Sequence, residues 1–154
     1  MYILSLNPDN SIRGSRIAPD GTEVPGDAVA VTEVLYQDYL TKAQQMRADK
    51  RADLPVYNDG VVEIPTDPRV VISLTLNKTA YSVNENVTIS ITLDDFPTFS
   101  GERMFNAFGE LYRFDFVDGV ATRSDINFLA TGIYEFANTA EVKVSNPTTV
   151  TVFR

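Results

Sequence analysis

Val87-Thr88-Ile89-Ser90-Ile91-Thr92-Leu93 alternates apolar and hydroxyl-bearing side chains without a break. A period of two sends successive side chains to opposite faces, so this stretch reads as a strand with one face in a core. Val70 to Leu76 repeats the pattern upstream. The ten residues from Asn77 to Asn86 read as the loop between them. Downstream, apolar runs at 103–107, 110–117, 120–123, 127–129, 132–137, 140–144 and 148–153 predict further strands. Phe108-Gly109, Asp118-Gly119, Thr131-Gly132 and Asn146-Pro147 supply turn residues between several of them. Short strands at this spacing, with no helical period after Arg69, predict an all-β sandwich over 69–154.

Before that stretch the period differs. Residues 2–6 and 11–17 predict two short strands joined by the Asn7-Pro8-Asp9-Asn10 turn, and Ala18-Pro19-Asp20-Gly21 makes a second turn. After the short apolar run 27–31, Thr32 is a suitable N-cap and Glu33 places a carboxylate in the first turn of a helix. Leu35, Tyr36, Tyr39, Leu40, Ala43 and Met46 then recur at three- and four-residue spacing, which predicts one amphipathic helix over 33–49. Leu54 to Tyr57 and Val61 to Ile64 flank Asn58-Asp59-Gly60 as a hairpin. Pro65-Thr66-Asp67-Pro68 breaks regular structure twice and marks a boundary. The expected organisation is an α+β, ββαββ-like module over 1–66 followed by the sandwich over 69–154.

Composition narrows the chemistry. The 154 residues are 44% apolar and 22% charged, and contain no cysteine and no histidine. That removes disulfides, thiolate nucleophiles, the commonest general base and the commonest transition-metal ligand. No catalytic residue, cofactor site or metal site is assigned, and the expectation is a protein that is not an enzyme. Asp94 with Asp95, and Asp115 with Asp118, are the acidic clusters, and they read as turn residues rather than as a calcium loop or a glycosidase pair. Asn77-Lys78-Thr79 and Asn86-Val87-Thr88 match the glycosylation sequon, a triplet that arises often by chance.

The formal charge of −8 argues against nucleic acid as a partner, since phosphate binding needs a basic footprint. The 21 acidic residues divide 10 and 11 about Thr66, so the acidity is spread over both halves. Met1 to Leu6 is apolar but has no basic flank and stops at Asn7-Pro8. A cytoplasmic site of synthesis and no membrane insertion are therefore expected.

Two groups of side chains are candidate interfaces: Tyr36, Tyr39, Leu40, Ala43 and Met46 on the helix, and Phe96, Phe99, Phe105 and Phe108, with Met104, between two strand regions. Exposed apolar patches mark protein contacts, although the helix stripe also suits the module's own sheet.

Two resemblances add to this reading. Leu74 to Leu93, with Tyr81 and Glu85 in its loop, resembles the opening of bacterial and phage immunoglobulin-like domains. Gly132-Ile133-Tyr134-Glu135-Phe136 is similar to the strand that carries their tyrosine corner. The cysteine pair and tryptophan of the antibody type are absent. Val24-Pro25-Gly26-Asp27-Ala28-Val29-Ala30-Val31-Thr32-Glu33, the helix after it, and Asn58-Asp59-Gly60 resemble bacteriophage tail-fibre assembly proteins, without the glycine of their helix exit at Gln44 to Lys50. Together they imply a phage virion structural or assembly protein, made in the bacterial host cytoplasm and located in the virion, with tail-fibre or baseplate proteins as partners. The alternatives are a transient assembly chaperone and a capsid decoration protein or adhesin that binds a host-surface glycan.

Overall fold

A computed structural model describes residues 1–154. The chain is mostly β with a single helix, and it divides into two compact units, Met1–Pro68 and Arg69–Arg154.

In the first unit, β1 (Tyr2–Leu6) lies between β2 (Ile12–Ile17) and β3 (Ala28–Val31), antiparallel to both. The third strand was not expected, and it makes the order βββαββ rather than ββαββ. Its pairing explains why a four-residue segment holds: Tyr2 faces Val31 and Leu4 faces Val29 across the ladder. Helix α1 (Glu33–Ala48) follows at once, with the Thr32 hydroxyl accepting from the N–H of Leu35 at 3.2 Å. This caps one of the free N–H groups of the first turn. β4 (Val56–Asn58) and β5 (Val61–Glu63) form a hairpin over Asp59 and Gly60, both at positive φ. Ile12 N–H donates to Pro55 O and Tyr57 N–H to Asn10 O, which stitches this hairpin to the β1–β2 turn.

The second unit holds three pieces of sheet. β11 (Val120–Asn127), β8 (Asn86–Leu93), β6 (Val70–Leu76) and β13 (Val142–Val144) form one sheet in that order. β12 (Gly132–Phe136), β14 (Thr148–Phe153) and β7 (Ala80–Ser82) form another, and β9 (Gly101–Ala107) pairs with β10 (Glu110–Phe116) as a ribbon. Two pairings are parallel, β13 with β6 and β7 with β14. All three pieces feed one hydrophobic core. Val87, Ile89, Ile91 and Leu93 enter it from β8, each at most 1% exposed. Burial of each such side chain is worth about 1.5–3 kcal/mol.

Three local expectations change. The loop 77–86 contains β7. The segments 120–123 and 127–129 are largely one strand, β11, whose register shifts between Arg123 and Ile126. The last predicted strand before β14 begins at Val142, because Thr139 N–H turns back to Val142 O at 2.9 Å.

Candidate interaction surfaces

The helix stripe is used inside the first unit. Tyr36, Tyr39 and Met46 are 8%, 7% and 2% exposed, and the two tyrosines pack with Leu4, Ile12 and Val62. Tyr2 lies ring to ring with Tyr36 at 4.9 Å. Lys42 bonds both Asp38, at 2.8 Å, and Val62 O, at 2.6 Å, which pins the helix to β5. Ala43 is half-buried against the same cluster. Of the five stripe residues only Leu40 is exposed, and it is joined by Val34, which lies off the stripe and escaped the periodicity argument.

The aromatic segment of the second unit splits in two. Phe105 is buried, edge-on to Phe114 at 6.1 Å and to Phe116 at 5.8 Å. Phe99 packs partly buried against Phe116, with the Arg103 guanidinium 4.7 Å above its ring. Phe108 sits in the β9–β10 turn at positive φ and packs on Phe128 at 5.0 Å and Phe136 at 6.0 Å. Phe96 and Met104 are about half exposed, and Leu111 on β10, which no sequence pattern singles out, is about two-thirds exposed.

These exposed residues border a groove. One end is lined by Val70, Leu93, Phe96 and Arg103, and the other by Asn106, Leu111, Phe136, Ala137 and Val144. Met104, Phe105, Glu141 and Val142 line both ends, so the groove runs between β9 and β13.

The polar clusters are engaged within the fold. Asp94 accepts from Ser73 at 2.9 Å and from Ser145 at 3.0 Å, while Asp95 accepts from Val71 N–H. Asp115 faces Arg113, and Asp118 is a turn residue at positive φ. Tyr81 is fully buried: it donates to Asn77 Oδ1 at 2.6 Å, and its oxygen accepts from Lys78 N–H. Burial pushes its pKa up, whereas the Lys78 ammonium beside Glu85 holds that carboxyl below its usual range. The Tyr112 hydroxyl donates to Glu110 at 2.8 Å, and burial and then this bond push its pKa up to about 12. The Tyr134 hydroxyl donates to Ala130 O at 3.0 Å. Neither a protein-family model, nor a curated protein, nor a solved structure matches this chain.

Proposed function

We propose that this chain is a non-enzymatic bacteriophage virion structural or assembly protein that binds a tail-fibre or baseplate component and presents an immunoglobulin-like domain. The observation that carries the binding role is the groove between β9 and β13, bordered by the exposed apolar side chains of Phe96, Met104 and Leu111. Apolar area left open beside a concavity favours a protein partner.

The immunoglobulin-like reading of 69–154 draws on two features. A first strand shared between two sheets is seen in β6, antiparallel to β8, and β7, parallel to β14. The bond from Tyr134 to the carbonyl four residues upstream has the form of a tyrosine corner. The phage assignment draws on the resemblance of Val24 to Glu33 and the helix after it to tail-fibre assembly proteins. In the α+β module the stripe leaves Leu40 for docking, with Val34 exposed beside the stripe, because Tyr36, Tyr39 and Met46 are buried and Ala43 is half-buried.

Mass spectrometry of purified virions tests the assignment, with a stoichiometric copy number expected. Presence during assembly but absence from the finished particle would make the chain a chaperone. Absence from both would remove the phage reading.

A further inference from the structure

We propose that the outer edge of β9 is a strand-addition site, taken up by an extended segment of a partner protein that lies in the groove. This rests on the reading of the groove as a binding surface, and it specifies how binding occurs.

The backbone makes the first argument. Phe108 and Gly109 form a two-residue turn with φ of 56° and 91°, so the flanking pair Ala107 and Glu110 exchanges both ladder hydrogen bonds. Alternation then aims the backbone of Arg103 and Phe105 at β10, and that of Glu102, Met104 and Asn106 away from it. The partner strand has the same parity: Arg113, opposite Met104, turns its carbonyl outward to Arg123 at 2.9 Å. Nothing in the chain pairs with the outward N–H and C=O groups of Glu102, Met104 and Asn106. Across the groove the edge is closed instead. The N–H groups of Val142 and Val144 go to Thr139 Oγ1 at 3.1 Å and Asn138 Oδ1 at 2.7 Å. Proteins blunt edges in such ways to prevent pairing, and β9 has no such cap.

Charge specifies the occupant further. Arg103 and Glu141 both line the groove, from β9 and from beside β13, and neither is in an ion pair. An extended segment with apolar residues at alternate positions, an acidic side chain beside Arg103 and a basic one beside Glu141 satisfies the edge, the floor and both charges. Main-chain bonds would supply the affinity and the floor and the charges the selectivity.

The test uses the full chain and a displayed library of random peptides of about nine residues, the length of a long strand. Peptides with alternating apolar positions should be enriched, and bound peptide should slow amide exchange at Glu102, Met104 and Asn106 by about ten-fold or more while leaving β8 unchanged. N-methylating alternate residues of a selected peptide should weaken it by about ten-fold, and Arg103→Glu should select against acidic peptides. No enrichment, protection elsewhere, or indifference to N-methylation would overturn the proposal. So would protection of the same three amides that rises with protein concentration alone, which would assign the edge to a second copy. Binding of a fibre protein with these amides still exchanging freely sinks strand addition but leaves the virion assignment. Peptide binding without any virion association does the reverse.

Discussion

Gly119 donates its N–H to the carbonyl of Phe99 at 2.8 Å, and its own carbonyl accepts from the N–H of Leu93 at the same distance. It thereby ties the loop 94–100 to the end of β8. Its φ is +73°, and a Cβ there would fall 2.8 Å from Phe96 O and from Pro97 Cα, both backbone. Strain of this kind costs about 1–3 kcal/mol, and backbone atoms cannot step aside as a side-chain tip can. Gly119→Ala should lower the urea midpoint accordingly and disturb Phe96 at the groove. An unchanged midpoint would show that the loop is held by other contacts.

Tyr134→Phe removes one hydroxyl and keeps the ring on Phe128, 4.5 Å away. A hydrogen bond of this type contributes about 0.5–1.5 kcal/mol net, so a loss in that range is expected by equilibrium denaturation. A neutral result would mean that water serves the Ala130 carbonyl equally well.

Tyr39→Asp and Leu40→Asp should separate folding from binding. The first places a carboxylate among Leu4, Ile12 and Val62, and should cost about 3 kcal/mol or more. The second lies at an exposed position and should leave stability within about 0.5 kcal/mol. Circular dichroism melts check both. Only Leu40→Asp is then fit to test docking of the first unit.

Asp53 receives the Arg51 guanidinium through Nε at 2.8 Å, and Arg51 also reaches Pro65 O at 2.8 Å. The hydrogen bond from Arg51 holds the Asp53 carboxyl below its ordinary 3.8. A depressed carboxylate stabilises the fold fully above its unfolded pKa, and that contribution disappears as pH falls through the lower folded value. Acid unfolding of the wild type should therefore steepen below about pH 4, and Asp53→Asn should flatten that limb. At neutral pH the substitution should cost about 1–2 kcal/mol. Parallel acid limbs for the two proteins would contradict this.

Legibility followed the range of the interactions. The helix, its Thr32 cap and the strand Thr148–Phe153 have local signatures, a repeat of three to four or of two, and their placement matched. β7 had none: three residues become a strand by pairing in parallel with residues some seventy positions later. β11 reads as two segments in the sequence because Ser124 and Asp125 interrupt the alternation where the register shifts. The helix stripe showed which face is apolar but not what covers it. Leu40 differs from Tyr39 by one position and ends up exposed, because one residue turns a side chain about 100° around the helix, away from the buried face. The groove was partly legible, as an excess of aromatic residues over 96–108. Its free strand edge was not, since edge status depends on which strands fail to pair.

The two parallel pairings also set an order in time. β13 docks on β6 and β14 on β7, so each sheet receives a strand from residues 142–153 against one from residues 70–82. These contacts span nearly the whole second unit, and loop closure over such distances makes folding slow. On the ribosome, β7 would stay unpaired and the core would lack Val150 and Val152 until Thr148–Phe153 emerges. The interval before that closure is when the chain is most exposed to aggregation and in greatest need of a chaperone.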